Sequence, residues 1–418
     1  MNNTRAEVSR PCILLLSPHS SYRLGPYIAA AEKFNTDVIV VSQGEHSLVS
    51  AVMSGLHVNF SDTDTDQKII TAVHNKKVLA VIGTDDLTVE LAAKVSQALG
   101  LTHNDPAAIR YTRRKDLARE CLKHSPVHVP AFEKRSLVSL INHPQVTTPY
   151  PCVIKPLALS GSRGVIRVNN NKELKTACQR LSLILQHIDD EEEREQVLIE
   201  AYIPGYEYAY EGLLDNGQLQ TLALFDKPDL MEGPFFEETY YITPSRLAIK
   251  LQKKIHTAVQ QACAAYGLRE GPVHAEVRVH DNEIWFMEMA SRTIGGQCAQ
   301  LLHYATGMKL EDIVIAQACK AKLVSQDTQQ AAGVLMIPIR QQGLLRRVEG
   351  LLAASKTEFI EDIEISIQEG YEIIPLPEGD SYLGFIFAKA PTAEQAELAL
   401  RQAYEKLKII TSPLLHAV

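Results

Sequence analysis

Val273-His-Ala-Glu-Val-Arg-Val-His-Asp-Asn-Glu-Ile-Trp-Phe-Met-Glu-Met-Ala290 reads as two strands around a short polar turn, and its two strand glutamates decide the fold. The second half, Ile284 to Ala290, is apolar on both faces and should be buried, yet it carries Glu288 in its middle. An unpaired buried carboxylate costs on the order of several kcal/mol, even after its pKa shifts. Something positive must stand beside it, and Arg292 or a metal ion are the nearby candidates. With residues 281–283 as a three-residue hairpin loop, Glu276 falls directly opposite Glu288, their Cβ atoms about 5 Å apart. Two carboxylates that close repel unless they share a cation. An oxygen-only ligand set points to magnesium or manganese, completed by phosphates of a substrate. The plainer alternative is an exposed Glu276 and a Glu288–Arg292 ion pair.

Upstream lie two weaker signals. Lys155 ends the strand-like Val153-Ile-Lys-Pro156 and precedes the small-residue loop Ser160-Gly-Ser-Arg-Gly164. Such a loop can bring backbone N–H groups against phosphate oxygens, with the lysine adding charge. The lysine precedes the glycines and no GK[ST] follows, so this is not a Walker A loop; a Gly/Ser turn between strands is the common meaning. Val197-Leu-Ile-Glu-Ala-Tyr-Ile-Pro-Gly-Tyr-Glu207 by itself reads as an edge strand and a turn, carrying Glu200 and Glu207.

The first hundred residues alternate apolar runs at 12–17, 37–42 and 78–83 with helical spacing over 25–34, 65–75 and 88–100. This βαβα rhythm predicts a parallel sheet with helices on both faces. Ligands of such sheets sit at the strand carboxyl ends, which draws attention to Asp85 and Asp86, although helix capping is the commoner use of aspartates there. The turn after the first run, Ser17 to Gly25, lacks GxGxxG, so a dinucleotide site has little support. From about 110 the pattern changes: a charged helix at 113–123, a helix at 171–188 ending in the acidic run Asp189–Glu193 (expected as a solvated turn), strands at 197–202, 207–214 and 219–225, and a long helix at 245–266. The last hundred residues offer helix 309–321, strands 333–339 and 382–389, and a closing helix at 393–408.

With 418 residues, two or three cores are expected. Net charge is −8, and there is no Lys/Arg-rich block, which argues against nucleic acid or an anionic membrane as the main partner. The seven cysteines form no CxxC pair and suggest reduced thiols in a cytoplasmic setting. The first apolar run is too short to span a bilayer.

In order, the chain presents Lys115 at a helix start, Lys155 before a small-residue loop, a Glu-x6-Glu segment and a Glu-x11-Glu hairpin. This order resembles the ATP-grasp superfamily, in which two α+β lobes clamp ATP. The resemblance implies a mixed α/β and α+β architecture: a Rossmann-like pre-ATP-grasp domain at 1–110, an ATP-grasp domain at 111–308 with a small clamping lobe at about 118–197, and a C-terminal α+β lobe at 309–418. Lys115 and Lys155 would contact the phosphates, under a loop formed by Ser160, Gly161, Ser162 and Gly164. Glu200, Ala201 and Ile203 would meet the adenine largely through backbone, and Glu207 would bind the ribose. Glu276 and Glu288 would ligate two magnesium (or manganese) ions. Arg292 would hold the substrate carboxylate by a bidentate contact. Many members place a ligating Asn two residues after the second metal glutamate; here that residue is Ala290, with Ser291 or a water as substitutes.

Glu288-Met-Ala-Ser-Arg-Thr-Ile-Gly-Gly296 is similar to the carboxylate–amine ligase branch that includes the L-amino acid ligases. There Gly295 and Gly296 would leave room beside Arg292 for an amino acid backbone. In Phe225 to Glu238, Lys227 would approach the γ-phosphate and Glu237 or Glu238 a substrate ammonium; an ordinary charged loop is the equal alternative. His274 is read as a satisfied core histidine ahead of a donor to the metal site. The implied reaction joins a small carboxylate to an amine, with amino acids as the expected partners and a homodimer as the expected assembly. A biotin-carboxylase-like enzyme, or an ATP-binding regulator without turnover, are the alternatives.

Overall fold

A computed structural model describes residues 10–18, 21, 23–43, 55–323 and 330–414. Residues 19, 20 and 22 of the first turn lie outside the described residues. Among those described, the architecture is the mixed α/β and α+β one implied by the sequence.

Strands β1 (Cys12–Ser17), β2 (Asp37–Ser42), β3 (Gly55–His57) and β4 (Val78–Gly83) form a parallel sheet in the order β3-β2-β1-β4. Alternate β1 side chains serve opposite faces. Ile13 and Leu15 meet Tyr27 and Ala31 of the helix Leu24–Lys33, while Leu14 and Leu16 meet Ile69, Ala92 and Val95 from the helices Thr65–Ala72 and Val89–Ala98. The first face is completed from far along the chain, by Val314 and Ile315 of the helix Leu310–Ala318.

Strands β5 (Phe132–Ser136), β6 (Cys152–Pro156), β7 (Ile166–Val168) and β8 (Gln196–Ala201) build a second sheet in the order β5-β8-β6-β7. One face is covered by the helix Asn171–Leu185, which begins at the side-chain cap of Asn170 and buries Leu174, Cys178, Leu181 and Leu185. The segment read as an edge strand, β8, is central: β5, a charged Phe-Glu-Lys-Arg-Ser run without strand-like alternation, pairs on its far side. The acidic run is exposed as expected over residues 189–192, but only Asp189 and Asp190 form a bend. Residues 191–195 are helical, with Glu192 on Arg114 and Lys134 and Glu193 on Arg113.

The third sheet contains β9 (Tyr206–Asp215), β10 (Gln218–Lys227), β11 (Tyr240–Thr243), β12 (Gly271–His280) and β13 (Glu283–Ala290). The C-terminal strands are β14 (Ala331–Ile337), β15 (Gly343–Glu349), β16 (Ile360–Ile365), β17 (Glu372–Ile373), β18 (Gly384–Ala390) and β19 (Lys408–Ser412). Of these, β14, β18 and β16 continue the third sheet, giving the order β13-β12-β9-β10-β11-β14-β18-β16, and β17-β15-β19 form a small sheet of their own. The ladder therefore runs unbroken across position 308, through the antiparallel pair β11–β14. The long helix Ile249–Tyr266, stopped by Gly267 at φ 82°, covers the β9–β12–β13 end.

Candidate active site

The hairpin β12–β13 brings Glu276 opposite Glu288, by a different route from the expected three-residue loop. The turn has two residues, Asp281 and Asn282, both at positive φ (51° and 60°), the signature of a tight hairpin whose twist matches its strands. That turn alone would set Glu276 against Met287. A bulge between Val277 and Glu276 absorbs Met287 and restores the Glu276–Glu288 pairing. The bulged carbonyl does not go unsatisfied: Arg119, from the helix Lys115–Leu122, donates Nη2–H to Met287 O. The guanidinium is 1% exposed, and its Nε lies 2.6 Å from Glu200 Oε1, a close ionic contact rather than an aligned hydrogen bond.

Glu200 in turn holds Lys155, with Nζ 2.6 Å from Oε2. Burial pushes the Glu200 carboxyl up, but Arg119 and Lys155 outweigh it and bring it to about 2. Its backbone sits between β5 and β6 in register, and Ala201 N–H donates to Ala131 O. The backbone of Glu200 is thus paired within the sheet, while its carboxylate meets Arg119 and Lys155. Lys115 donates to Leu159 O at 2.7 Å and stands 3.4 Å from Glu288 Oε2.

Lys227 ends β10 in a ring of acid. Its Nζ donates to Glu207 Oε1 (2.8 Å), Glu238 Oε1 (2.6 Å) and Glu276 Oε1 (2.7 Å). Burial would lower the lysine, but the three carboxylates hold it well above its ordinary value. Burial and the neighbouring Glu276 raise Glu238 to about 8, while Lys227 and His274 overcome burial to keep Glu276 well below the usual range. Glu238 is therefore no ordinary loop charge, and Tyr241 Oη–H donates to its second oxygen at 2.8 Å. Glu237 lies near Arg340 instead. Glu207 is committed on both oxygens, because Arg278 Nε donates to Oε2 at 2.9 Å. His274 bridges two carboxylates, Glu211 Oε2 at 3.2 Å and Glu276 Oε1 at 3.8 Å. Burial disfavours its charged form, yet these neighbours raise it to about 9.

Arg292 does not pair with Glu288, so the plainer reading of the hairpin fails. It forks onto Asp86, Nε to Oδ1 at 2.8 Å and Nη2 to Oδ2 at 2.6 Å, and Nη1 donates to Thr293 O at 3.0 Å. Asp85, by contrast, does serve the turn, its Oδ1 accepting from Leu87 N–H. Gly296 makes no visible allowance for a ligand. It holds φ 58°, and a Cβ there would come within 2.5 Å of Met336 Sδ, so close packing explains the residue. Ser291 Oγ lies 3.0 Å from Thr112 Oγ1.

Between the second sheet and the β12–β13 end of the third lies an open cleft. It gathers Lys115, Lys155, Ser160, Ser162, Glu200, Ala201, Ile203, Glu207, Glu276 and Glu288 from separate segments. Lys227 and Arg292 are not on its wall; Lys227 is reached through the carboxylates it holds. Sequence reading missed Tyr202, Met231, Phe236 and Arg278, which line the same space. Arg278 donates to the carbonyls of Ile203 and Met231 and so ties both of these segments to β12. One signal pointed to it: His274, Glu276 and Arg278 alternate with valines and alanine, so all three share one face. The loop of Gly161 and Gly164 is held from the C-terminal side: Gly164 N–H donates to Pro377 O at 3.0 Å and Arg163 Nε–H to Glu378 O at 3.2 Å.

The acidic ring fits a hard divalent cation. Glu207, Glu238 and Glu276 each offer an oxygen, all within 4.8 Å of one another, the donor type that magnesium or manganese takes. Glu288 is not in that trio; it lines the cleft with its side chain 43% exposed.

Residues 148–300 match an ATP-grasp domain family, and residues 335–412 match the L-amino acid ligase C-terminal domain 2. An uncharacterized protein of Sinorhizobium fredii is 23% identical over 77% of this chain and 66% of its own length. The alanine–anticapsin ligase of Bacillus subtilis is 24% identical over 58% of this chain and 54% of its own. The chain thus spans between about half and two thirds of these relatives. The L-amino acid ligase of Bacillus licheniformis has the same fold, with TM-score 0.83 at 24% identity over 97% of this chain and 99% of that one. Biotin carboxylase of Campylobacter jejuni superposes less well, with TM-score 0.65 at 17% identity over 96% and 92%. These matches mark residues 148–300 as similar to ATP-grasp domains and residues 335–412 as similar to the C-terminal domain 2 of L-amino acid ligases, and the chain resembles the carboxylate–amine ligase branch of the ATP-grasp superfamily.

Proposed function

We propose that this protein is an ADP-forming ligase that joins a small carboxylate to an amine, both of them amino acids or close analogues, through an acyl phosphate. The observation that carries the reading is the cleft in which Lys115 and Lys155 stand beside the facing pair Glu276 and Glu288. Tyr202, Phe236, Met231 and Met287 supply apolar surface for a base. Lys155, steadied by Glu200, and Lys115 neutralise phosphate oxygens. The acid's carboxylate oxygen attacks the γ-phosphorus, the β–γ bridging bond breaks, and ADP leaves with the electron pair. The amine nitrogen then attacks the acyl carbon, phosphate departs, and a proton leaves the nitrogen. Glu276 and Glu288, with Glu238 alongside, would hold two magnesium or manganese ions, whose chemistry is neutralisation of charge developing on the phosphoryl oxygens. Lys227 then leaves the carboxylates it now holds and turns toward the γ-phosphate. Arg292 orients the carboxylate, and closure of the β5–β8 lobe excludes the water that would hydrolyse the intermediate.

The test is ADP and phosphate release from purified protein with Mg-ATP, screened against pools of carboxylic acids and amino acids with and without amines. Release that requires one acid–amine pair supports the ligase. Release dependent on bicarbonate and free biotin replaces it with a carboxylase, and ATP binding without turnover on any pool replaces it with a binding protein.

A further inference from the structure

Asp86 lies in the loop after β4, at the carboxyl end of the parallel sheet, 206 residues from the arginine it holds. The two side chains are 18% and 14% exposed, and both carboxylate oxygens of Asp86 meet the Nε and Nη2 edge of Arg292. Such a fork fixes both the plane and the rotation of a guanidinium, which a single contact cannot do. The next residue is clamped from the same side. Arg23 Nη1 donates to Thr293 O at 2.9 Å and to Thr293 Oγ1 at 3.2 Å, and Tyr27 Oη lies 3.5 Å from the same hydroxyl. From the opposite side, Ile294 N–H donates to the buried Glu211. The loop after β13 is therefore set between two bodies of the molecule rather than by its own strand.

We propose that Asp86 is a positioning residue that orients Arg292 for the substrate carboxylate, so that the N-terminal sheet forms part of the acid-binding half of the site. The proposal rests on the ligase reading for its kinetic consequence, but not for its geometry. Burial opposes ionisation of Asp86, and Arg292 nevertheless holds it below its ordinary value, in keeping with a persistent ion pair.

Two measurements on the full chain test it. The first is the Arg292 Nε–H resonance in protein labelled with 15N-arginine, assigned by its loss in Arg292→Lys. It should exchange slowly with water in the wild type, speed up by at least tenfold in Asp86→Asn, and stay slow in Asp85→Asn. The second uses the acid–amine pair found by the ADP screen. Asp86→Asn should raise KM for the carboxylate-bearing substrate about tenfold or more, the value of a hydrogen bond to a charged group. KM for ATP should stay within twofold, and Asp86→Glu should recover part of the loss. An Nε–H resonance indifferent to Asp86→Asn overturns the proposal whether or not turnover is found. A wild type without acid-dependent ADP release instead removes the ligase reading and leaves the resonance to decide the positioning. Equal loss of ATP and acid affinity would show a merely structural role and overturn it as well.

Discussion

At Glu200 two cations flank one carboxylate; at Lys227 three carboxylates surround one cation. Both clusters are buried at the same cleft, and both pay desolvation, yet they shift their carboxylates in opposite directions. Arg119 and Lys155 outweigh burial and drive Glu200 to about 2, so that corner stays ionised and positive at any ordinary pH. Around Lys227 the carboxylates are unevenly served: Arg278 also holds Glu207 and His274 lies beside Glu276, while burial and the neighbouring Glu276 lift Glu238 to about 8. One end suits phosphate oxygens, and the other suits a hard cation. The lesson is that the stoichiometry of buried charge, more than the number of ion pairs, says what a site is built to receive.

The contrast breaks most visibly at the hairpin. Glu276→Gln, which removes a carboxylate common to the ring and the hairpin pair, should lower kcat/KM for ADP formation about a thousandfold, roughly 4 kcal/mol. Glu288→Gln should abolish turnover too, and full activity in that variant would sink the metal-site reading. Next in size, Lys227→Met removes the one cation that all three carboxylates share, leaving Glu207 its Arg278 and Glu276 its His274, and should cost roughly 3 to 5 kcal/mol in metal-free buffer. Millimolar Mg2+ should restore part of the melting temperature. Lys155→Met, which leaves Glu200 its Arg119, should gain nothing from Mg2+; an equal response in the two variants would erase the distinction.

Glu200→Gln sharpens the other end. Folding lowers the Glu200 pKa from 4.5 to about 2, so the folded state binds fewer protons across that window. Its stabilisation, roughly 3 kcal/mol, is full above pH 4.5 and is lost as pH falls toward 2. Denaturant titrations of the variant should show that much less stability at pH 7 and a flatter decline in acid. The smallest effect is expected at the turn. Asn282 sits at φ 60°, and Asn282→Gly should raise stability by less than about 1 kcal/mol while leaving turnover unchanged.

β1, β2 and β4 were legible at 12–17, 37–42 and 78–83, because each is a short apolar run between polar turns; β1 is buried throughout and β2 mostly, while β4 is only partly covered. β5 was not legible, since Phe-Glu-Lys-Arg-Ser earns its strand from the β8 backbone beside it and not from apolar alternation. The facing of Glu276 and Glu288 was read correctly from a turn of the wrong length. A bulge at Met287 has no local signature, because its reason is Arg119, 168 residues away, waiting for the carbonyl. Long-range charge partners were hidden for the same reason: nothing near Arg292 names Asp86, and nothing near Lys227 names Glu207.

The unbroken eight-stranded ladder has a consequence for how the protein can be divided. The regions matched by the two families, 148–300 and 335–412, look like interchangeable modules, but the pairs Tyr240–Leu335 to Thr243–Ala332 stitch them into one hydrogen-bonded surface. A chain cut at 308 would bare the edge of β11, remove the covering of Tyr241 and Phe225 by Val334 and Phe387, and take away Pro377, the anchor of the small-residue loop. Exchange of C-terminal parts between relatives should therefore succeed only where the graft carries β11 with it.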